Sequence, residues 1–246
     1  MGIPLYFKII SEKYPNIIKF NFDNNKNNLF LDLNCAIHPC CHKILEEYSV
    51  NNFNQNIVES KMMNEVLNYI QKLVLMVNPT LLYIAIDGVA PCAKMNQQRL
   101  RRYKTVYEKS KIDKIKEAEN KEINTFNWNT NAISPGTEFM DKLSHKIKNE
   151  IKNNKLYENI KVYFSDSYNP GEGEHKILDY IKTNDLDGNI IIYGLDADLI
   201  ILSFVAHKNN IYLLREAVQF GKTIMDSFLY LDIDNLKYYI VKDIQE

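Results

Sequence analysis

The sequence lacks several features that would indicate whole classes of protein. It contains no run of roughly 18 uncharged apolar residues, the length that a membrane-spanning helix needs, so we expect no membrane span. The net charge is only −1 over 246 residues, so the chain as a whole has no electrostatic attraction for nucleic acid or membrane. A myristoylation signal needs Ser or Thr where this chain has Tyr6, so we expect no lipid anchor either. Charge must therefore be examined locally.

Cysteine is also scarce. The four cysteines are Cys35, Cys40, Cys41 and Cys92. Since there is no secretory signal and three of them are clustered, we expect a reducing intracellular compartment, with nucleus and cytoplasm both open. His38 and His42 lie among the clustered cysteines, but no second pair of ligands completes a four-ligand site, so we expect no structural zinc.

Short β-branched segments recur along the chain and predict buried strands. With 46% hydrophobic residues the chain can form a substantial core. The five segments are LFLDLN (29–34), LLYIAID (81–87), NIKVYFSDS (159–167), NIIIYGLDAD (189–198) and NIYLLRE (210–216). Longer segments with helical spacing separate them. This alternation predicts an α/β fold, with a mainly parallel central sheet flanked by helices.

Three segments have helical character. Residues 58–77 place an apolar face on one side, made of Met62, Val66, Leu67, Ile70, Leu73 and Val74. Residues 111–123 are far more polar, and we expect them to project into solvent. Residues 134–151 begin with the helix-start pair Ser134-Pro135 and carry a stripe of Phe139, Leu143 and Ile147. The asparagine-rich segments 21–28 and 51–56 predict surface loops.

Acidic side chains follow the predicted strands. Four strands end at or near Asp32, Asp87, Asp166 and Asp196, at the sheet edge where ligands bind in open α/β folds. A single aspartate at a strand end is often a turn former or helix cap, and we interpret Asp166 in that way. The pairs Asp196/Asp198 and Glu172/Glu174 are harder to explain structurally. Gly171 and Gly173 interrupt a regular helix, so the two glutamates can turn to the same side, and we expect the adjacent His175 at the surface.

The candidate acidic set therefore has six members. They are Asp32, Asp87, Glu172, Glu174, Asp196 and Asp198. Gathered in one pocket, they would repel one another at neutral pH unless cations neutralise them. Oxygen-only ligands favour Mg²⁺ or Mn²⁺ over zinc. Two such ions can hold a scissile phosphate between them, one activating the attacking water and the other stabilising the leaving oxygen.

A basic segment lies between the second and third predicted strands. Residues 93–116 hold nine positive and two negative side chains, and three of the four arginines of the chain. On a helix, Lys94, Gln98, Arg101 and Arg102 would share one face. Arginine matches phosphate oxygens in a bidentate manner, and amides at a helix start can face an anion. The segment therefore predicts a seat for a terminal phosphate, with a merely solvated basic helix as the alternative.

Together these segments resemble the N-terminal catalytic region of the Xrn family of 5′→3′ exoribonucleases. The matching stretches are MGIPLYFKIISEKYP, LFLDLNCAIHPCCH, YIAIDGVAPCAKMNQQRLRRYK, NAISPGTEFM, FSDSYNPGEGEHKILDYI and YGLDADLIIL. They occur in the family's order along most of the chain. The resemblance implies a PIN-like 5′-nuclease fold and release of nucleoside 5′-monophosphates from 5′-monophosphorylated single-stranded RNA.

The resemblance also implies a role for each candidate. The six carboxylates would be the catalytic ligands of two Mg²⁺ or Mn²⁺ ions. Lys94, Gln98, Arg101 and Arg102 would hold the 5′-monophosphate in a pocket too small for a cap or triphosphate. Asn34 would lie near the phosphate or the metals, and His38 would stack on the first base. We expect a monomer.

Two departures from the family leave alternatives open. Cys92 stands where the family has a basic residue. A further acidic ligand in a GNDFLPH-like segment, and a second stacking aromatic, do not occur before Glu246. We therefore expect residues 1–246 to form a single Xrn N-terminal nuclease domain without the downstream helical part. The alternatives are a structure-specific 5′ nuclease acting on DNA and a catalytically weak protein that binds RNA 5′ ends.

Overall fold

The computed structural model describes residues 5–20, 26–47, 54–119, 128–219 and 222–245. Their strands are β1 (Ile18–Lys19), β2 (Asn27–Asp32), β3 (Leu81–Ala85), β4 (Lys161–Ser165), β5 (Asn189–Tyr193), β6 (Ile211–Gln219) and β7 (Lys222–Asp232). Their α-helices are α1 (Tyr6–Lys13), α2 (Asn34–Glu47), α3 (Gln55–Val77), α4 (Cys92–Ala118), α5 (Glu138–Asn153), α6 (Gly173–Thr183), α7 (Asp198–Val205) and α8 (Ile233–Gln245). Each helix in these ranges is too short or too polar to cross a membrane.

The strands form one seven-stranded sheet in the order β1-β7-β6-β5-β2-β3-β4. The five neighbouring strands β6, β5, β2, β3 and β4 are parallel to one another. β7 pairs with β6 in antiparallel orientation, and β1 pairs with β7 in the same way. The predicted α/β class with a mainly parallel sheet is confirmed. From β2 the chain first builds outward through β3 and β4, then returns to the other side of β2 for β5 and β6. This reversal opens a crevice at the carboxyl ends of the strands.

Both faces of the sheet are covered, which explains the uninterrupted apolar runs of the strands. On β2, Leu29 and Leu31 pack against α2, α3 and α5, while Phe30 faces the layer of α1, α6, α7 and α8. All three side chains have no solvent exposure. The core therefore fixes β2 in the middle of the sheet from both sides.

The helices agree with the predicted faces but not with every predicted boundary. All six apolar residues predicted for the face of α3 are buried, as are Phe139, Leu143 and Ile147 of α5. The predicted start of α5 at Ser134-Pro135 is wrong. The helix begins at Glu138, because Thr137 Oγ1 accepts the Met140 N–H at 3.4 Å and acts as the N-cap.

Three further predictions need correction or extension. The basic segment and the polar segment from residue 111 form one 27-residue helix, α4, none of whose residues is buried; residues 120–123 lie outside the described residues. The loop predicted for 21–28 is wrong at its end, since Asn27 and Asn28 are buried in β2 and their amides donate to the Val77 and Asp187 carbonyls. The loop predicted for 51–56 is also wrong at its end, because Asn54 caps α3 and Gln55 and Asn56 form the first turn of that helix. Residues 21–25 and 51–53 lie outside the described residues.

The position of the α5 cap can be tested by substitution. We expect Thr137→Ala to lower the free energy of unfolding by about 1 kcal/mol, because the Met140 N–H loses its acceptor. Ser134→Ala is the matched control and should change stability by less than about 0.5 kcal/mol. Urea unfolding followed by circular dichroism measures both. A larger loss for Ser134→Ala would contradict the helix start at Glu138.

Candidate functional site

The predicted acidic residues lie at the carboxyl edge of the parallel strands. Asp32 is the last residue of β2, and Asp87 follows β3 by two residues. Asp196 follows β5, and Asp198 is the first residue of α7. Glu172 directly precedes α6 and Glu174 lies in its first turn. Gly173 does not interrupt this helix as predicted but begins it, while Gly171 takes the positive φ of 102° that turns the chain into it.

Two adjoining cavities bring all twelve predicted site residues together. The first, about 460 Å³, is lined by all six carboxylates and by Asn34, His38, Lys94, Gln98 and Arg101. The second, about 320 Å³, shares Asn34, His38, Asp87, Gln98 and Arg101 with the first and adds Arg102, Thr105 and the segment from Thr130 to Pro135. Acidic and basic groups from separate parts of the chain thus face one continuous space.

Asp32 is the most confined of the carboxylates. It is 6% exposed, and its Oδ1 is fully buried without a hydrogen-bond partner among the described residues. Burial, followed by the negative charge of Asp87, raises the pKa of Asp32 to about 7, and Glu174 and Asp196 act in the same direction. The Cys35 thiol opposes the shift by donating to Asp32 Oδ2 at 3.5 Å. An ionised Asp32 therefore needs a further positive partner.

Asp87 is held by the start of α6. The Gly173 N–H donates to Asp87 Oδ1 at 2.7 Å, where the partial positive charge of the helix start also favours an anion. Burial raises the pKa of Asp87, and this N–H bond and the nearby Asn34 amide oppose the rise. A Cβ on residue 173 would lie 2.8 Å from Asp32 Oδ1, so only glycine allows the helix start to approach both carboxylates.

The two glutamates complete the cluster from the α6 side. Burial raises the pKa of Glu174, and the charges of Glu172, Asp198 and Asp196 add to the effect. Glu172 Oε2 accepts an ion pair from Lys94 Nζ at 2.9 Å. The pKa values of Asp32, Asp87 and Glu174 are all raised, and burial is the largest cause. The second cause that they share is repulsion by the other carboxylates in the same cavity.

The described residues fit divalent cations by donor chemistry, although no three of their His, Cys, Asp or Glu side chains already form a complete metal-binding group. The six carboxylates that line the cavity all offer oxygen atoms as metal ligands. One of these atoms, Asp32 Oδ1, is buried and accepts no hydrogen bond from the described residues. Mg²⁺ keeps several of its waters and often uses only one or two carboxylates directly, so a preformed cage of three ligands is not required. The donor set therefore suits Mg²⁺ or Mn²⁺.

The basic side of the cavity comes from the first turns of α4. Lys94, Gln98 and Arg101 line the larger cavity, and Arg101 and Arg102 line the smaller one. Arg99 lies on the same helix but is not among the described residues that line either cavity. The predicted shared face is therefore present.

Backbone hydrogen bonds fix the segment just before α4 against the segment that carries Glu172. The Gly88 N–H donates to the Gly171 carbonyl at 2.8 Å, and the Gly171 N–H donates to the Val89 carbonyl at 3.0 Å. A Cβ on residue 88 would lie 1.8 Å from the Asn169 carbonyl oxygen, so the two segments approach this closely only because position 88 is glycine.

His38 and Asn34 stand at the start of α2, at the mouth of both cavities. Neighbouring protein around the His38 ring lowers its pKa, and the charges of His42 and Arg101 lower it further. A lowered pKa keeps the imidazole neutral near pH 7. His175 is exposed and lines a further cavity of about 330 Å³, which shares Lys94, Glu172, Glu174 and Asp198 with the first.

Three residues that were not predicted as site residues either hydrogen-bond to a site carboxylate or interact with one electrostatically. Burial, followed by the charge of Asp32, raises the pKa of Cys35, which therefore remains a thiol donor. Lys176 Nζ donates to the Ile86 and Asp166 carbonyls at 2.8 and 3.0 Å, joining the ends of β3 and β4. Arg215 stacks its guanidinium 3.9 Å from the Phe7 ring centroid. Of these three residues, Cys35 could have been predicted, because it follows Asp32 by three residues and can therefore reach its carboxylate.

Asp166 takes the structural role that we predicted for it. Its Oδ1 accepts the Tyr168 N–H at 3.1 Å, which forms a turn, and its Oδ2 pairs with Lys148 at 2.6 Å. Asp166 is not among the described residues that line the two site cavities.

Comparison with known proteins places this arrangement in a family. Residues 1–217 match the family model described as the XRN 5′-3′ exonuclease N-terminus. The chain is 35% identical over its full length to 5′-3′ exoribonuclease 1 of Schizosaccharomyces pombe. It is 37% identical over 90% of its length to human 5′-3′ exoribonuclease 1, and 36% identical over 91% to 5′-3′ exoribonuclease 2 of Aspergillus oryzae.

The chain spans 20%, 14% and 25% of the lengths of these three relatives, respectively. Both the model match and the identities extend through the segments that line the cavities. The resemblance drawn from the sequence motifs is confirmed, and the chain belongs to the XRN 5′-3′ exonuclease family.

Proposed function

We propose that the protein is a 5′→3′ exoribonuclease that removes nucleoside 5′-monophosphates one at a time from single-stranded RNA with a 5′-monophosphate. The observation that carries the proposal is a single cavity that is lined both by the six carboxylates and by Lys94, Gln98 and Arg101. A phosphodiester one nucleotide away from a bound terminal phosphate would lie between these two sets. The relatives' name, 5′-3′ exoribonuclease, supports this direction and an RNA substrate.

The acidic set would hold two Mg²⁺ or Mn²⁺ ions. Its members are Asp32, Asp87, Glu172, Glu174, Asp196 and Asp198. When bound, such ions supply an activated water and stabilise the leaving oxygen. The chain's own contribution is to hold the carboxylates close together, with Asp32 fixed by the central strand and Asp87 by the Gly173 N–H.

The basic set would select the RNA end. Arg101 and Arg102 can donate several N–H groups to the oxygens of a terminal phosphate, with Gln98 and Lys94 completing the contacts. Five residues of the segment 130–135 line the same cavity as Arg102 and would form a wall of the phosphate seat. This wall supports exclusion of a cap or triphosphate, because both extend further past the first phosphate.

His38 and Asn34 would orient the first nucleotide. A neutral imidazole at the cavity mouth offers a flat surface on which a base can stack. Asn34 lines both cavities, so its amide can contact the phosphate while remaining beside Asp87. Stacking does not depend on base identity, which suits an enzyme that degrades RNA of any sequence.

Substrate comparison tests the proposal directly. We expect the protein with Mg²⁺ to degrade 5′-monophosphorylated RNA progressively, while 5′-triphosphate RNA, 5′-hydroxyl RNA and flap DNA are spared. Asp196→Asn should reduce the rate by roughly a hundredfold or more, because a cation ligand is weakened. The control Asp185→Asn removes an exposed carboxylate outside the cavities and should leave the rate unchanged. Cleavage of flap DNA would instead support a DNA nuclease, and binding without cleavage an RNA 5′-end-binding protein.

A matched pair of arginine substitutions tests the phosphate seat. We expect Arg101→Met to reduce the preference in kcat/KM for 5′-monophosphate over 5′-hydroxyl RNA by roughly ten- to a hundredfold, because charge-assisted hydrogen bonds are lost. Arg99→Met removes the same charge from the same helix outside both cavities and should preserve the preference. Equal losses in the two variants would show that the helix acts only through its overall charge.

Carboxylate repulsion predicts an unusual effect on stability. Without divalent cations, we expect Asp32→Asn to raise the free energy of unfolding by about 1–2 kcal/mol, because a buried charge among like charges is removed. We also expect added Mg²⁺ to stabilise the wild type more than this variant. Urea unfolding in EDTA and in Mg²⁺ measures both effects, with Asp185→Asn as the exposed control. A variant less stable than the wild type in EDTA would contradict the repulsion.

A further inference from the structure

Lys94 is a predicted phosphate-binding residue that the structure also pairs with a predicted cation ligand, Glu172. Its Nζ lies 2.9 Å from Glu172 Oε2. The Lys94 side chain is 31% exposed and that of Glu172 only 14%, so the pair is partly removed from water. An ion pair of this kind is stronger than an exposed one, because solvent screens it less.

The same ammonium group faces the phosphate seat. Lys94 lines the larger cavity together with Gln98 and Arg101, so a phosphate held by these residues lies within reach of Nζ. A lysine ammonium behaves as a compact charge on a flexible stem and can exchange one anionic partner for another. Full contact with a phosphate and full pairing with Glu172 compete for that single group.

We propose that Lys94 couples recognition of the RNA 5′ end to the availability of Glu172. Without RNA, Lys94 holds Glu172. When a 5′-phosphate binds, the Lys94 ammonium turns to it and releases the Glu172 carboxylate to the acidic cluster. This inference rests on the proposed function and extends it, since it makes the phosphate a condition for a complete set of cation ligands.

The coupling has a required thermodynamic form. If the phosphate frees Glu172, it must tighten binding of a divalent cation, and the cation must tighten phosphate binding by the same factor. A 5′-phosphate recognised by the basic residues would thereby strengthen cation binding by the acidic residues. A 5′-hydroxyl end, lacking the charge that attracts Lys94, would leave Glu172 paired.

Calorimetric titration with Mg²⁺ tests the coupling without any turnover. The probes are adenosine 5′-monophosphate and adenosine, neither of which has a bond for the enzyme to cleave. In the wild type, we expect saturating adenosine 5′-monophosphate to tighten Mg²⁺ binding roughly tenfold more than adenosine does. In Lys94→Met, Mg²⁺ should bind more tightly than in the wild type even without nucleotide, and the extra effect of the phosphate should fall below about twofold.

Two control variants separate the ion pair from general charge effects. Lys104→Met removes a lysine from the same helix, where it pairs with Glu108 at the surface, and should bind Mg²⁺ as the wild type does. Arg101→Met removes a charge inside the cavity without touching the Lys94–Glu172 pair. Its nucleotide-free Mg²⁺ affinity should rise less than that of Lys94→Met. Because α4 contains no buried residue, none of these changes disturbs the core.

The inference is overturned if Lys94→Met binds Mg²⁺ no more tightly than the wild type or than Arg101→Met. It is also overturned if the phosphate tightens Mg²⁺ binding equally in the wild type and Lys94→Met. In either case, a wild type that still prefers adenosine 5′-monophosphate to adenosine retains the proposed phosphate seat. If that preference is absent, the proposed function itself fails and the coupling fails with it.

Discussion

Repulsion among carboxylates is the physical constraint on which the arrangement of this site depends. Asp32 ends the central strand β2, which is hydrogen-bonded to β3 on one side and β5 on the other, so its side chain has no freedom to withdraw. Asp87 follows the end of β3 by two residues, and Asp196 follows the end of β5 by three. The sheet therefore forces like charges together, and the surrounding groups must compensate for them.

The compensation comes from short, directional contacts rather than from a general positive field. The Gly173 N–H donates a hydrogen bond to Asp87, and the Cys35 thiol donates one to Asp32. Lys94 forms an ion pair with Glu172. None of these neutralises the cluster, and the chain as a whole carries a net charge of −1. The hydrophobic layers on both faces of the sheet provide the stability that lets the edge retain this unfavourable charge, since each fully buried Leu or Phe contributes about 1.5–3 kcal/mol.

Sequence patterns predicted the parts of the fold that repeat a local rule. The strands β2, β3 and β5 were found because they are almost wholly buried and carry apolar runs. The edge strand β4 has no buried residue and was found by its β-branched and aromatic residues. The strands β1 and β7 were missed, because two residues of β1 carry no pattern and β7 mixes polar and apolar positions. Asn27 and Asn28 read as loop residues, yet distant carbonyls satisfy their buried amides. Such partners, 50 or more residues away, leave no local trace.

For the candidate site, too, the sequence indicates which residues belong together but not how they are placed relative to one another. The motifs identified all twelve candidates, but not the means by which the basic helix is oriented toward the acids. Since no residue of α4 is buried, packing along its length does not set its direction. The segment that leads into α4 is instead tied to the Glu172 segment by the backbone hydrogen bonds of Gly88, Val89 and Gly171, at a distance that only glycine permits at position 88. The relative position of the phosphate seat and the acidic cluster thus depends on this close backbone approach, together with the Lys94–Glu172 ion pair.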